Sequence, residues 1–357
     1  MSATSTLESL RVLVFGDCLP SAVAGSHLGL LGADVVLLEP GDGCWLRRGD
    51  LARHPRVLPL WSSYGRGLRS AVTHSDQDTL DFIAASDVCI VAEPTANAIS
   101  DDESFPSPAK GRVLLTQGAM ASDLLTQAAS GMLSYVGQSD RQPIRIGFEV
   151  VGITTGVAAV QAAVALTLGE RGGTIKVDAF KIAVNLISNQ VVSQSHPEER
   201  TSFAAYHTAP PEYGFPAQDG WVEVIFFYED QGFAAFCSEI GAPELAARPK
   251  FADYTLRSAN RAELAEALSP FCRCVPAERL VAMATRHGAF AMVKAELRDA
   301  LRREQVAANG LVSSDHDDLL AGPWTIDGHR PILRGLPELA QHDEEIRRDW
   351  FEPGTTS

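Results

Sequence analysis

The sequence predicts an α/β fold built on parallel strands, with a second, smaller α+β unit later in the chain. Residues 11–39 have the pattern of a strand, a helix and a strand over roughly the minimum length of a βαβ unit, whose crossover is right-handed. A helix that begins near Thr154 and Thr155 is apolar on nearly every face, which indicates a buried helix. Residues 202–310 combine an alternating strand with several helices, a pattern typical of an α+β unit.

The length and composition are those of a globular protein with two domains. The chain has 357 residues, of which 45% are hydrophobic and 21% are charged, and this is enough for a substantial core. Its formal net charge of −15 argues against nucleic acid or an anionic membrane as the main partner. We see no secretory leader and no apolar run close to about 18 residues. The sequence therefore predicts a cytoplasmic protein.

The six cysteines favour free thiols over disulfides or a metal site. None of them forms a C-x-x-C pair, and Cys272 and Cys274 are too close together for a simple bridge. This C-x-C pair has no second Cys or His pair nearby, so no metal is predicted. Reduced thiols agree with a cytoplasmic location.

The individual elements follow from apolar runs separated by turn residues. Strands are predicted at residues 11–16, 34–39, 87–91, 112–116, 174–180 and 221–226. Helices are predicted at residues 21–31, 122–133, 154–168, 181–194, 230–240, 260–271, 276–287 and 294–309. Ser122 is expected to cap the second of these helices, and Thr154 or Thr155 the third. The first turn contains Gly16 and Gly25 but lacks G-x-G-x-x-G spacing, so a dinucleotide fingerprint is not predicted.

Several short motifs follow one another in a fixed order along the chain. They are Leu30–Val35 with Glu39, the group Asp123, Gln127, Ala128, Ser130 and Gly131, the series Pro143, Gly147, Gly156, Arg171, Gly173 and Val177-Asp178, and the C-terminal run Leu339–Ile346. In this order the chain resembles the CaiB/BaiF family, the family III CoA-transferases. The resemblance implies a doubly wound, Rossmann-like large domain made from both chain ends, residues 1–195 and 321–357. It also implies a smaller α+β domain of residues 196–320 and an interlocked homodimer.

In that family an aspartate attacks the acyl-CoA thioester as a covalent nucleophile. The resemblance puts this aspartate four residues before Gly156, where the chain has Gly152. In the racemase branch a histidine proton carrier comes just before the residue that corresponds to Asp123, and here that position is Ser122. Because neither position holds a base, a two-base racemase is not predicted.

Three other residues are candidates for the chemistry. Glu149 is three residues before Gly152 and has a longer side chain than aspartate, the alternative being a surface carboxylate. Asp123 begins a helix, where capping is the alternative to catalysis. His207 lies in a loop similar to a family segment that approaches the active site, and it can serve as a general base. A structural loop histidine is the alternative there.

The resemblance also implies where coenzyme A or an acyl-CoA substrate would bind. The first turn takes the place of the family's CoA-contacting turn, although the family's usual A-G-P is not kept. Two arginines end a glycine-rich loop and can fork onto a phosphate, with a solvated surface loop as the alternative. A third arginine follows in a segment similar to the family's N-R-G-K-R-S. The candidate CoA contacts are Cys18, Leu19, Pro20, Arg47, Arg48 and Arg69.

Three functions agree with these observations. In the first, Gly152 marks a repurposed enzyme that acts on a CoA thioester or a related acid. In the second, the chain is a non-catalytic binding or partner subunit. In the third, it is an ordinary acyl-CoA:carboxylate CoA-transferase that uses another nucleophile. In each case the expected ligand is a small-molecule acid or thioester, and neither nucleic acid nor a membrane is an expected partner.

Overall fold

The chain folds into two compact units. The structure, a computed structural model, describes residues 6–48, 57–93, 106–116, 122–135, 146–169, 172–195, 214–225, 229–310, 322–331 and 335–351. The large unit consists of residues 1–130, 146–186 and 303–357, and the small unit consists of residues 131–145 and 187–302. The domain limits at residues 195 and 320 stay predictions beside this division.

The described residues form the following strands and helices. The strands are β1 (Arg11–Phe15), β2 (Asp34–Glu39), β3 (Arg69–Val72), β4 (Val88–Ala92), β5 (Gly111–Thr116), β6 (Gly173–Asp178), β7 (Gly214–Ala217), β8 (Gly220–Ile225) and β9 (Phe290–Val293). The helices are α1 (Leu19–Leu30), α2 (Trp45–Arg48), α3 (Val57–Tyr64), α4 (Asp76–Ala85), α5 (Asp123–Ala129), α6 (Val150–Leu168), α7 (Ala179–Leu186), α8 (Ser188–Ser195), α9 (Asp230–Ile240), α10 (Pro243–Ala246), α11 (Tyr254–Ala259), α12 (Arg261–Cys272), α13 (Ala277–Arg286), α14 (Leu297–Leu301), α15 (Glu304–Ala308) and α16 (Asp343–Phe351).

Among the described residues, the large unit contains a six-stranded sheet in the order β3-β2-β1-β4-β5-β6. Every neighbouring pair is parallel, and Val12 pairs with Val35 on one side and with Val88 on the other. This is the strand order of a doubly wound Rossmann-like sheet, so the predicted fold class is confirmed. Val12 and Val14 pack on one face, and Leu13 packs on the other. The run of apolar residues in β1 is explained by this burial on both faces.

Helices α1 and α6 lie side by side on one face of the sheet and run in the same direction. A β-carbon on Gly156 would lie 2.6 Å from Cβ of Val23, while one on Gly152 would lie 3.1 Å from Cδ2 of Leu19. The two contacts are four residues apart on each helix, which requires a parallel pair. Both helices therefore begin at the edge of the sheet where the strands end.

The predicted start of α6 is wrong by about one turn of helix. The helix begins at Val150, and Glu149 is its N-cap residue. Thr154 and Thr155 lie inside the helix, and their hydroxyls donate to the carbonyl oxygens of Val150 and Val151, each at 2.7 Å. A threonine hydroxyl can bond the carbonyl four residues earlier as well as cap a helix. The residue type alone therefore did not fix the boundary.

By length and composition, α6 could also cross a membrane, contrary to the expectation that no apolar run is long enough. A core helix of a soluble protein passes the same test. Ala159, Ala163 and Leu166 belong to the hydrophobic core of the large unit, so α6 has the packing of such a core helix.

The C-terminal helix α16 packs on the other face of the sheet, beside α4. Ile346 and Trp350 are buried there with Phe82. Arg347 donates to both carboxylate oxygens of Asp78 at 2.6 and 2.9 Å and to Oδ2 of Asp343 at 2.8 Å. The bidentate pair with Asp78 is the geometry in which a guanidinium binds a carboxylate most strongly. A segment about 270 residues away in the chain is thereby fixed to α4.

We expect Arg347→Met to lower the free energy of unfolding by about 1–2 kcal/mol near neutral pH. Hydrogen bonds from Arg347 lower the pKa of Asp78. For Asp343, burial is the largest influence and raises the pKa, but hydrogen bonds from Arg347 and the Val72 N–H, together with the Arg347 charge, leave the pKa lowered. Stability from a lowered carboxyl pKa is present above the ordinary value and lost as pH falls through the folded-state value. The deficit of the variant should therefore shrink on acidification in urea titrations.

Arg348→Met is the matched control for this prediction. Its guanidinium side chain is 63% exposed and lies 3.6 Å from Asp349, so we expect a change of less than about 0.5 kcal/mol. A deficit of Arg347→Met that stays constant from neutral pH down to about pH 2 would contradict the assigned role of the two aspartates.

The small unit has its own core under a sheet of three described strands. The order is β7-β8-β9, with antiparallel pairs. The strand predicted at 221–226 corresponds to β8, whereas β7 and β9 were not predicted. The helix predicted at 294–309 is divided into α14, which lies in the small unit, and α15, which lies in the large unit. Phe215, Phe233, Phe236 and Phe251 are buried in this core.

Candidate active site

The candidate site lies where β1 and β4 end. The chain runs from β1 outward through β2 and β3, and β4 then begins the other half of the sheet. This topological switch point is where open α/β sheets bind ligands. Gly16 follows β1 with a φ of 123°, and a β-carbon there would lie 2.7 Å from the backbone nitrogen of Ala92. Only glycine fits this turn, which leads directly into α1.

Two hydrogen bonds from Trp45 to Asp17 fix the turn that follows β1. The Trp45 backbone N–H donates to Oδ1 of Asp17 at 2.7 Å, and its indole N–H donates to the Asp17 carbonyl at 2.6 Å. Burial raises the pKa of Asp17, although the hydrogen bond from Trp45 opposes this effect. Arg48 lies 3.5 Å from Asp17 and also pairs with Asp42. Neither Asp17 nor Trp45 was predicted as a site residue, because no sequence motif marks their pairing.

Arg47, a predicted CoA contact, is part of a buried ion pair. It donates to the two oxygens of Glu39 at 2.9 and 2.7 Å and to the carbonyl of Pro337 at 2.6 Å. Its guanidinium also lies 4.5 Å from the ring centre of Trp61. Burial tends to raise the pKa of Glu39, but hydrogen bonds from Arg47, Ser70 and the Cys44 N–H leave it lowered. These hydrogen bonds give Arg47 a structural role.

Arg69, another predicted CoA contact, is held in the same way. Its guanidinium donates to Asp34 at 2.9 Å and to Asp349 at 2.8 Å. The side chain is 10% exposed, and Trp350 donates its indole N–H to the same Asp34 at 2.8 Å. Arg69 therefore links β2, β3 and the C-terminal helix. Contact with CoA stays a prediction for this residue.

Asp123 lies at the N-terminus of α6, although it belongs to α5. Its Oδ2 accepts a hydrogen bond from the Gly152 N–H at 2.7 Å. Its Oδ1 accepts from Nε2 of Gln127 at 2.5 Å, one helical turn further along α5. The Oε1 of Gln127 has no hydrogen-bond partner among the described residues. The carboxylate is thus held in one plane by two donors from different helices.

Leu19 faces the same point from α1. Around the place that a β-carbon on Gly152 would occupy, the three nearest atoms are Cδ2 of Leu19 at 3.1 Å, Oδ2 of Asp123 at 3.5 Å and Cγ of Leu19 at 3.7 Å. Three helices therefore converge here and bring an apolar side chain and a carboxylate side by side. We call Leu19, Asp123, Gln127 and Gly152 the Asp123 cluster. Cys18 and Pro20 flank Leu19 at the start of α1.

The structure gives less information on the roles of Glu149 and His207, the other two predicted catalytic residues. Glu149 is the N-cap residue of α6 without a side-chain capping bond, and its carbonyl accepts from the Ile153 N–H at 3.0 Å. His207 lies outside the described residues. Ser122 is the N-cap residue of α5, as predicted, but makes no side-chain capping bond.

No disulfide joins the six cysteines, all of which lie in the described residues, and five of them are buried. Burial raises the pKa of Cys44, which lies beside the first turn, to about 12. A thiol of this kind stays protonated near neutral pH and is a poor nucleophile. The Asp123 carboxylate is therefore the better candidate for covalent chemistry at this edge of the sheet.

The chain is similar in sequence and in fold to proteins of one family. The sequence profile of CoA-transferase family III matches residues 115–343. A succinyl-CoA–D-citramalate CoA-transferase of Chloroflexus aurantiacus is 23% identical, over 96% of this chain and 93% of that protein. A probable fatty acyl-CoA transferase of Mycobacterium tuberculosis is 28% identical, over 72% of this chain and 74% of that protein. A crystal structure of a CaiB/BaiF family protein from Brucella suis has the same fold, with a TM-score of 0.81 at 21% identity over 97% of this chain and 99% of that chain.

Proposed function

The chain belongs to CoA-transferase family III, and we propose that it moves coenzyme A between an acyl-CoA and a carboxylic acid, with Asp123 as the covalent nucleophile. The position of the Asp123 carboxylate carries this proposal. Its Oδ2 lies 3.5 Å from the place that a β-carbon on Gly152 would occupy. Position 152 is where the resemblance puts the catalytic aspartate of the family. An acid is therefore available at this point although residue 152 has no side chain.

The proposed first step is attack by an Asp123 carboxylate oxygen on the acyl carbonyl carbon. A carbon–oxygen bond forms, the carbon–sulfur bond breaks, and CoA leaves as a thiolate that keeps the electron pair. The product on the enzyme is a mixed anhydride. Each carboxylate oxygen accepts one hydrogen bond and keeps a further lone pair for the attack. The two donors also hold the carboxylate in one orientation, which lowers the entropic cost of reaction.

We assign the CoA contact to Arg48 and the first turn of α1. The Arg48 side chain is 44% exposed and lies beside the first turn through its contact with Asp17. The guanidinium groups of Arg47 and Arg69 donate hydrogen bonds to carboxylates of this chain. We therefore do not include these two arginines among the proposed CoA contacts. Cys18, Leu19 and Pro20 remain proposed CoA contacts, because Leu19 belongs to the Asp123 cluster and the other two residues flank it in the sequence.

One observation favours the second candidate function, a binding subunit without catalysis. Both oxygens of Asp123 already accept hydrogen bonds, and such bonds stabilise the anion and weaken it as a nucleophile. The proposed assembly is a homodimer in either case. Exposed apolar side chains such as Leu168 and Val192, which are 82% and 60% exposed, support burial against a second copy.

The test is exchange of isotope-labelled CoA into an acyl-CoA, because this reaction needs no knowledge of the acceptor acid. We expect Asp123→Asn to slow the exchange by at least about a thousandfold. Asparagine keeps an oxygen that can accept from the Gly152 N–H, so the fold should be retained. Mass spectrometry of the wild-type protein with acyl-CoA should show a covalent adduct on Asp123.

Asp81→Asn is the matched control. Asp81 is an exposed aspartate of α4 that accepts from the amide of Gln77, four residues away, at 2.9 Å, and its replacement should leave exchange unchanged. Full activity of Asp123→Asn would exclude Asp123 as the nucleophile. Calorimetric binding of CoA without exchange would support the binding subunit. Consumption of the thioester without exchange would support a repurposed reaction.

A further inference from the structure

We propose that the Asp123 cluster selects apolar monocarboxylic acyl groups over acyl groups that carry a second carboxylate. This inference rests on the proposed role of Asp123 and concerns the part of the substrate next to the reacting carbonyl. The residue that carries it is Leu19, a side chain that is 7% exposed at the start of α1.

Leu19 and Asp123 converge on one point. Two of the three atoms nearest to the β-carbon position of Gly152 are carbons of Leu19, and the third is Oδ2 of Asp123. An acyl group whose carbonyl carbon bonds to Asp123 therefore has its next carbons against the Leu19 methyl groups. Apolar carbons gain free energy on leaving water for such a surface.

A second carboxylate on the acyl group would be unfavourable at this point. It would lose its hydration beside an apolar side chain and within reach of the Asp123 anion. Among the arginines of the described first turn and its neighbouring loop, Arg47 donates to Glu39, and Arg48 pairs with Asp17 and Asp42. Arg47 is thus balanced by Glu39, and Arg48 is the proposed contact of CoA, so neither cation is left for a second carboxylate on the acyl group.

The absence of a side chain at Gly152 allows Leu19 to come close to this point. Because residue 152 has no side chain, the Leu19 methyl group reaches to 3.1 Å from its β-carbon position. Leu19 therefore occupies space that a side chain at 152 would need. An apolar contact from Leu19 therefore lies beside the proposed nucleophile.

The experiment compares butyryl-CoA with succinyl-CoA in the labelled-CoA exchange assay, using the full-length protein. We expect kcat/KM for butyryl-CoA to exceed that for succinyl-CoA by at least about tenfold. Leu19→Met and Leu19→Gln are matched variants of similar length, one apolar and one polar. The methionine variant should keep the preference, and the glutamine variant should reduce it by at least about fivefold.

The outcomes separate this inference from the proposed function. Exchange that depends on Asp123 but is faster with succinyl-CoA would overturn the acyl preference and leave the nucleophile in place. An unchanged preference in a folded Leu19→Gln variant would also overturn it. Absence of exchange with every ester would remove the proposed function, and the acyl preference would fall with it.

Discussion

Replacing Arg47 with methionine is expected to lower the free energy of unfolding by about 3–5 kcal/mol. Glu39, its partner, is fully buried. Methionine keeps most of the volume of the arginine stem but removes the positive charge and three hydrogen bonds, two to Glu39 and one to the Pro337 carbonyl. Leaving a carboxylate buried without its counter-charge is among the substitutions that lower the free energy of unfolding most. Urea unfolding followed by circular dichroism measures the loss directly.

The neighbouring arginine provides the control. Arg48 pairs with Asp17 and Asp42 while its side chain is 44% exposed, so we expect Arg48→Met to cost less than about 1 kcal/mol. The double variant Arg47→Met/Glu39→Gln should regain part of the loss because no buried charge remains. Equal losses in Arg47→Met and Arg48→Met would show that Glu39 does not depend on Arg47.

The Arg47 prediction also has a pH dependence. In the wild-type protein the pKa of Glu39 is lowered, so its contribution is present above the ordinary carboxyl pKa and lost as pH falls through the folded-state value. In Arg47→Met, burial is opposed by fewer hydrogen bonds, and the pKa of Glu39 should rise. The difference between the two proteins should therefore be smaller near pH 4 than near pH 7.

Replacing Gly156 with alanine is expected to destabilise the protein by about 3 kcal/mol, at the upper end of the usual range for an overpacked core. The added β-carbon would lie 2.7 Å from the backbone oxygen of Pro20 as well as 2.6 Å from Cβ of Val23. These atoms cannot rotate away, so α1 and α6 must separate. Thermal and urea unfolding both report the change.

Gly152→Ala is the matched control on the same helix, one turn earlier. Its nearest neighbour is the terminal methyl group of Leu19 at 3.1 Å, which a small rotation can move. The gain of about 1 kcal/mol from replacing glycine in a helix should offset this shift and leave stability nearly unchanged. A large loss in Gly152→Ala, or none in Gly156→Ala, would contradict the parallel packing described for α1 and α6.

The fold class follows from local features of the sequence. The βαβ spacing of residues 11–39 and the apolar helix predicted from Thr154 indicate a layered α/β structure, because strands and helices that are buried on every side consist of continuous apolar residues. Short motifs also pointed to Asp123 and Leu19 as candidate site residues. Gln127, one turn after Asp123, belonged to the same motif, and its helical spacing could have suggested the bond that it makes.

Which candidate residues meet, and which of them have structural roles, depends on contacts between segments that are separate in the sequence. Asp123 and Gly152 are 29 residues apart, and their hydrogen bond exists because α5 reaches the N-terminus of α6. Arg47 and Arg48 are identical in type and adjacent in sequence, yet one bonds to a buried carboxylate and the other is exposed. Successive side chains on a helix point about 100° apart, and each guanidinium bonds to whatever carboxylate the fold brings to it. Glu39 is eight residues from Arg47 and Asp42 is six residues from Arg48, yet no local pattern shows which arginine takes the buried partner.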